Sequence, residues 1–185
     1  MDFTENTGLF LNAIRFSADR HRHQRRKDNA QSPYINHPIE VAQLLWEVGG
    51  VRDVSVLLAA ILHDTIEDTR TRPDEIRDIF GNEVLSLVLE VTDDKSLPKA
   101  DRKRLQIETA PDKSYGAKLI KLSDKCCNVR DLVSMPPENW SLDRRREYLL
   151  WTEQVVAGLR GTNESLEKYY DHELASGKTL LGIVP

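Results

Sequence analysis

The sequence contains little cysteine, no marked excess of either charge and no long hydrophobic run. Its two cysteines among 185 residues, Cys126 and Cys127, are adjacent, and neighbours in sequence do not build a disulfide framework. The formal net charge is −4, which implies neither nucleic acid nor an anionic membrane as a partner. The longest nearly apolar run, Val54 to Leu62, is far too short to span a bilayer.

The first residues also lack the features of an export signal. The stretch MDFTENTGLF has acidic residues where a signal peptide would have positive ones. Since the cysteine usage indicates no disulfides, we expect a reducing cytoplasm as the compartment. The sequence leaves the oligomeric state open.

The composition is that of an ordinary globular protein with helical periodicity. Hydrophobic residues make up 39% and charged residues 30% of the chain, and the length is near that of one domain. No convincing strand pattern or hairpin dipeptide is present. We therefore predict a single all-α domain over residues 1–170. A C-terminal tail, residues 171–185, is expected to be poorly ordered because it contains Gly177 and Pro185.

Capping residues and prolines predict where the helices begin. The predicted starts are near Leu11, Asn36, Asp53, Pro73, Pro98, Ser114 or Tyr115, and Ser141. The segment Val54 to Leu62 is apolar on all sides, so it is predicted to be a central buried helix. The helix that starts near Ser141 is predicted to be the last one.

Four potential metal ligands are spread over three of these predicted helices. His37 lies at the start of the second helix, His63 and Asp64 follow the buried third helix, and Asp124 lies within the helix that starts near Ser114. A helical bundle can bring such positions together in its interior. Imidazole and carboxylate suit a divalent ion such as Mn²⁺, Fe²⁺ or Zn²⁺. Such an ion polarises a phosphate oxygen and lowers the pKa of water.

Simpler interpretations of these residues stay open. A carboxylate on the apolar helix around Asp124 must be compensated, but Lys121 or Arg130 would serve as well as a metal ion. A helix C-terminus stabilises a protonated His63 without any metal. His37 by itself fits a polar residue of a first turn.

Further charged residues could act on a phosphate substrate. Glu67 and Asp68 could orient water and move protons, although such a pair also fits a solvated turn. Arginine binds phosphate with two parallel hydrogen bonds. The candidate cations for this role are Arg20, Arg22, Arg25, Arg26, Lys27, Lys99, Arg102, Lys103, Arg144, Arg145 and Arg146. The run that ends at Lys27 equally fits a solvated helix end.

The order His, then His-Asp, then a distant Asp is the pattern of the HD phosphohydrolase superfamily. Over roughly residues 10–168 the chain resembles the small alarmone hydrolases, the RelA/SpoT-type ppGpp hydrolases. The matching segments are HRHQRRKD, PYINHPIEVA, AAILHDTIEDT, EVTDDKSLPKADRKRLQ, AKLIKLSDKCCNVRDL and GTNESLE. This resemblance implies an all-α HD-domain bundle. It also implies metal-dependent hydrolysis of the 3′-diphosphate of ppGpp or pppGpp to GDP or GTP plus pyrophosphate.

The resemblance also implies a role for each motif residue. One divalent ion, typically Mn²⁺ with Zn²⁺ or Fe²⁺ as alternatives, would be bound by His37, His63, Asp64 and Asp124. Glu67 and Asp68 would be the catalytic pair. Substrate contacts would come from Arg26, Lys27, Lys99, Asn128, Arg144 and Tyr148. Relatives often have a bulky apolar or aromatic residue where this chain has Cys126-Cys127, which puts the packing beside the metal in doubt.

Two other functions are compatible with the same residues. Members of this group can also remove the 2′-phosphate of NADPH, so NADPH is an alternative substrate on the same site. A non-catalytic alarmone-binding regulatory module is the third hypothesis. Such a module would be expected to lose its ligands, and this chain has all of them. The chain is too short for an added synthetase domain, so we expect no ppGpp synthesis.

Overall fold

The structure is a computed structural model that describes residues 3–183, and in this range it is built from helices with short connections. In chain order the helices are α1 Phe3–Arg20, α2 Asn36–Glu47, α3 Val54–Leu62, α4 Thr65–Asp68, α5 Pro73–Phe80, α6 Asn82–Val91, α7 Lys99–Thr109, α8 Tyr115–Ser134, α9 Leu142–Ala157 and α10 Glu164–Leu180, with a 3-10 helix at Ala110–Asp112. A single isolated bridge, between Arg25 and Pro33, is the only β pairing within the described residues.

The short helix α3 lies at the centre of the core. Seven of its nine residues are buried, and it packs against α1, α2, α6 and α8. Asp53 caps its N-terminus, because the side chain accepts hydrogen bonds from the backbone nitrogens of Ser55 at 2.8 Å and Val56 at 3.2 Å. The predicted central buried helix and its cap are therefore confirmed. The predicted all-α fold class is also confirmed.

The long helix α8 is the second central element. It contacts α2, α3, α6, α9 and α10, so little of its surface is left for solvent. Consecutive polar residues at its middle, Ser123, Asp124 and Lys125, are buried as well. Because buried polar groups need partners, this segment is where the fold must provide hydrogen bonds and charges.

The predicted cap of α2 is wrong in one detail. Asn36 is the first residue of the helix and Ile35 occupies the cap position, where no side chain accepts a hydrogen bond. The backbone of Ile35 already has helical angles, φ −55° and ψ −25°. The chain enters the helix through a turn in which the nitrogen of His37 donates to the carbonyl of Tyr34 at 3.0 Å. A side-chain cap is therefore not required here.

The helix from Leu142 is not the last, because α10 follows it. The predicted tail boundary at residue 171 falls inside α10. Leu166, Tyr170 and Leu174 of this helix are buried against the rest of the bundle. Whether residues 171–185 form a separate tail stays a prediction, and Val184 and Pro185 lie outside the described residues.

Gly177 does not break α10, because it lies where the helix packs closely on its neighbours. A Cβ atom added at Gly177 would lie 3.2 Å from the side chain of Leu149 and 3.3 Å from that of Val133. The glycine at position 177 is therefore explained by close packing of α10 against Leu149 and Val133. No helix among residues 3–183 combines the length and apolar character needed to cross a membrane.

Replacing Gly177 with leucine should destabilise the protein by about 1–3 kcal/mol, because the new side chain overfills this contact. Urea unfolding of the purified protein measures the change. The matched control is Gly8→Leu, since a Cβ atom at this position in α1 meets nothing within 4 Å. Equal unfolding midpoints for the two variants would contradict a packing role for Gly177.

Candidate active site

Three helical elements bring His37, His63 and Asp124 together in the interior. His37 lies in the first turn of α2, His63 ends α3, and Asp124 lies at the middle of α8. One ligand atom from each residue lies within 4.8 Å of the others, and all three residues are buried. Two imidazoles and a carboxylate at this spacing suit a divalent metal ion.

Asp124 is 8% exposed, and its carboxylate is surrounded by donors. Its Oδ1 atom accepts from Nδ2 of Asn128 at 2.6 Å and lies 3.1 Å from Nε2 of His37. Its Oδ2 atom accepts from Nζ of Lys125 at 3.0 Å. Burial by itself would raise the pKa of Asp124, but Lys125 and His37 outweigh it and hold the pKa well below its usual range.

The cation that compensates Asp124 was not among the candidates taken from the sequence. Lys121 lies 4.0 Å from a different carboxylate, that of Asp93. Arg130 pairs with Glu40 at 2.5 Å. The adjacent Lys125 takes the role instead, because its flexible side chain can fold back to the carboxylate of the preceding residue.

His63 has the hydrogen bonding expected of a metal ligand. Its Nδ1 atom lies 2.8 Å from the carbonyl of Ala60, which fixes the ring orientation. Its Nε2 atom lies 3.0 Å from Oδ2 of Asp64 but has no hydrogen-bond partner among the described residues. Nε2 of His63 and Oδ2 of Asp64 are both atoms that can ligate a metal, and they lie close together. The residues present therefore fit a metal ion.

Without a metal ion, a proton on Nε2 of His63 can lie between this atom and Oδ2 of Asp64. Burial by itself would lower the pKa of His63, but Asp64 and Asp124 outweigh it and raise the pKa to about 9. Burial by itself would raise the pKa of Asp64, and His63 outweighs it and lowers the pKa. Oδ2 of Asp64 also accepts from the hydroxyl of Tyr34 at 2.5 Å. Asp64 thus places a fourth potential ligand, a second carboxylate, beside the cluster.

Glu67 and Asp68 lie on the four-residue helix α4, one turn beyond Asp64. Oε2 of Glu67 accepts from the backbone nitrogen of Asp93 at 2.9 Å. Lys95 reaches both acids, with Nζ 3.0 Å from Oε1 of Glu67 and 2.7 Å from Oδ1 of Asp68. Burial raises the pKa of Glu67, and the hydrogen bond from Asp93 opposes this shift. A carboxyl group with a raised pKa is suited to holding and donating a proton.

A cavity of about 860 Å³ lies next to this cluster. Asp68 is part of its wall, and so are the predicted substrate-binding residues Arg26, Lys27, Lys99, Asn128, Arg144 and Tyr148. Burial lowers the pKa of Lys99, and the nearby cations Arg144 and Lys27 lower it further. These closely spaced cations form a positive region, which suits a phosphate-bearing ligand.

Two residues connect the cavity to the buried cluster. Asn128 lines the cavity and donates to Asp124. Arg26 lines it too, with Nη2 at 2.5 Å from Oδ2 of Asp131 and at 3.5 Å from Oδ1 of Asn128. A ligand held by Arg26 therefore lies one side chain away from the predicted metal ligand Asp124.

Sequence reasoning missed several residues that shape the site. These are Gln24, Tyr34, Lys95 and Lys125, whose side chains bond to Asp68, Asp64, the Glu67–Asp68 pair and Asp124 respectively. Each lies inside a motif segment, such as PYINHP for Tyr34 and TDDK for Lys95. The motif segments marked these positions, but three of the partners are distant in sequence, and the direction of the Lys125 side chain depends on packing.

The chain is similar in sequence to a characterised family of enzymes. The HD-domain family profile matches residues 13–160. The guanosine-3′,5′-bis(diphosphate) 3′-pyrophosphohydrolase MESH1 of Homo sapiens is 56% identical over 162 residues, which are 88% of this chain and 90% of that protein. The protein of the same name from Xenopus tropicalis is 53% identical over 169 residues, which are 91% of this chain and 94% of that protein.

Two solved structures are similar in fold. One, described as a metazoan ortholog of SpoT that hydrolyzes ppGpp and plays a role in starvation responses, has a TM-score of 0.89 at 45% identity, over 95% of this chain and 97% of that chain. The other, lmo0812 from Listeria monocytogenes EGD-e, has a TM-score of 0.64 at 28% identity, over 79% of this chain and 99% of that chain.

Metal affinity should rise with pH, because a metal ion requires the neutral imidazole of His63. The metal-free ring keeps its proton up to a pKa of about 9. The association constant for Mn²⁺ should therefore increase about tenfold per pH unit below that value, as expected for displacement of one proton. Calorimetric titration at pH 6.5, 7.5 and 8.5, in buffers of different ionisation enthalpy, measures both the affinity and the released proton.

The metal-free protein provides an independent control. Because the pKa of His63 is raised above its usual 6.5, its proton contributes stability that is fully present below pH 6.5 and is lost as the pH approaches 9. His63→Asn should remove this part of the pH dependence of unfolding. An Mn²⁺ affinity that does not change with pH would contradict the role of His63.

Proposed function

The chain belongs to the HD-domain family, and from this membership and the site geometry we propose that it hydrolyses the 3′-diphosphate of ppGpp and pppGpp. A water molecule attacks the phosphorus atom that is bonded to the 3′ oxygen. The bond between this phosphorus atom and the 3′ oxygen breaks. The products are GDP or GTP and pyrophosphate. The observation that supports this function best is the buried His37–His63–Asp124 cluster next to a cavity lined by cations.

We infer that one divalent ion, most simply Mn²⁺, is held by His37, His63, Asp64 and Asp124. Mixed imidazole and carboxylate donors also suit Zn²⁺ and Fe²⁺. When bound, such an ion polarises a phosphate oxygen and lowers the pKa of water. Lys125 keeps Asp124 ionised, and the Tyr34 hydroxyl bonds to Asp64. These two contacts orient the carboxylates toward the common centre.

Glu67 and Asp68 are the groups that move protons in this proposal. The departing 3′ oxygen needs a proton, and attacking water must lose one. Burial raises the pKa of Glu67, which favours the form that can donate. Asp68 lines the cavity, and its two carboxylate oxygens are held by Lys95 and Gln24, so the group is fixed at the edge of the substrate region.

The cavity wall recognises the nucleotide. Arg26, Lys27, Lys99 and Arg144 supply positive charge for the phosphates. Tyr148 and Asn128 present an aromatic ring and an amide to the nucleoside part.

The free, buried thiols of Cys126 and Cys127 agree with a cytoplasmic location.

Two variants test the assigned roles through pyrophosphate release from ppGpp by Mn²⁺-loaded protein. Asp64→Ala should lose bound metal and activity together, because it removes a ligand. Glu67→Gln should keep the metal but lower kcat by about a hundredfold to ten-thousandfold, the usual contribution of a general acid or base. Metal content is measured in the same samples.

The matched control for these carboxylates is Asp74→Asn, since Asp74 forms an exposed pair with Arg72 on α5. It should leave both metal and activity unchanged. Loss of metal in Glu67→Gln would make Glu67 a structural residue. Full activity of metal-poor Asp64→Ala protein would refute the assignment of the metal site.

The size of the cavity supports a second substrate, NADPH, with hydrolysis of its 2′-phosphate on the same site. A volume of about 860 Å³ lined by cations and by the rings of Trp140, Tyr148 and Trp151 has room and surfaces for a dinucleotide. The metal and the acid pair would act on a phosphate monoester in the same way. The products would be NADH and inorganic phosphate.

Turnover of ppGpp and NADPH by the same Mn²⁺-loaded sample ranks the two substrates. We expect kcat/KM to be higher for ppGpp, and Glu67→Gln should lower both activities if they share one site. Phosphate release from NADPH that persists in Glu67→Gln would assign it to another group. Binding of ppGpp without turnover of either substrate would favour the non-catalytic regulatory module.

A further inference from the structure

A buried imidazole lies behind the acid pair and has no role in the mechanism described so far. His21 follows the last residue of α1 and is 2% exposed. Its Nδ1 atom lies 2.7 Å from Oε1 of Gln24, and its Nε2 atom has no hydrogen-bond partner in the part of the chain that the structure describes. Unlike Gln24, His21 does not line the cavity.

The hydrogen bonds from His21 to Asp68 can run in one direction only. An ionised Asp68 has only acceptor atoms, so the amide nitrogen of Gln24 donates to its Oδ2 at 2.9 Å. The amide oxygen of Gln24 then faces His21 and must accept, so the imidazole proton lies on Nδ1. Nδ1 of His21 is therefore the donor in this contact, and the amide oxygen of Gln24 is the acceptor.

The same imidazole also supports the metal side of the site. Its ring packs on the ring of Tyr34, with centroids 4.9 Å apart. The Tyr34 hydroxyl donates to Asp64 at 2.5 Å. Asp64 precedes the four-residue helix α4 and Asp68 ends it, so both ends of this helix are tied to His21. A helix of four residues is not stable by itself, so these contacts, together with those of Lys95 and Asp93, hold its acids in place.

We propose that His21 and Gln24 are positioning residues that fix Asp68 for proton transfer. This inference rests on the proposed phosphohydrolase function. Lys95 holds Oδ1 of Asp68 and Gln24 holds Oδ2, so the carboxylate is fixed from both sides. Without the proton of His21, the amide of Gln24 can rotate and release Asp68. The effect should fall on kcat rather than KM, because His21 is not part of the cavity wall.

Two replacements of His21 separate positioning from packing. His21→Phe keeps a ring against Tyr34 but has no donor, and its kcat for pyrophosphate release should fall about tenfold to a hundredfold at unchanged KM. His21→Asn loses the ring but places an amide N–H near the position of Nδ1, so it should recover part of the kcat. If His21 served only to fill the core, Phe would be the active variant and Asn the impaired one.

His23 provides the matched control, because it is an exposed histidine two residues away. His23→Ala should keep the kcat and KM of the unmodified protein. Thermal unfolding and metal content of each variant show whether the fold and the metal are retained. Full kcat in a folded, metal-loaded His21→Phe protein would overturn the proposal.

A spectroscopic measurement tests the same hydrogen bonds without any substrate. In ¹⁵N NMR spectra of the full chain loaded with Zn²⁺, a diamagnetic ion, His21 should show the Nδ1–H tautomer. Gln24→Leu should shift this signal. An Nε2–H tautomer in the unmodified protein would overturn the proposal. Absence of ppGpp turnover would instead refute the proposed function. The tautomer of His21 would still show whether the hydrogen bonds from His21 through Gln24 to Asp68 exist.

Discussion

The buried carboxylate of Asp124 is the constraint on which the arrangement of the site depends. Burying a single unpaired charge costs several kcal/mol, so the fold must surround it with donors and positive charge. Lys125 and Asn128 from the same helix and His37 from α2 meet this requirement in the metal-free protein. The same need for positive charge makes the position a suitable place for a divalent ion. Stability and metal binding therefore arise from one electrostatic requirement.

The acids of the site are kept apart by their cationic partners. Lys125 neutralises Asp124 on the metal side, whereas Lys95 lies between Glu67 and Asp68 on the proton-transfer side. Each lysine fixes the orientation of a carboxylate and reduces repulsion between neighbouring negative charges. Lys95 also lines the cavity, together with Lys27, Lys99 and Arg144, which add positive charge for an anionic ligand.

The errors of the sequence-based prediction have specific physical causes. Asn36 was interpreted as a cap, but the turn at Tyr34 already starts the helical backbone one residue earlier. Lys121 and Arg130 were alternatives to a metal ion as compensation for Asp124, but they pair with Asp93 and Glu40. The cap at Asn36 is replaced by a local backbone turn, whereas tertiary contacts determine the partners of Lys121 and Arg130.

The sequence by itself determined the helical class, the central position of α3 and the residues from which a metal site could be built. Apolar periodicity and the order of His and Asp residues are local properties, so they can be read along the chain. Only the tertiary structure decided that His37, His63 and Asp124 converge, that Lys125 is the partner of Asp124, and that His21 contacts both Gln24 and Tyr34. These relations join residues on different helices or side chains whose direction depends on packing, and no local pattern specifies them.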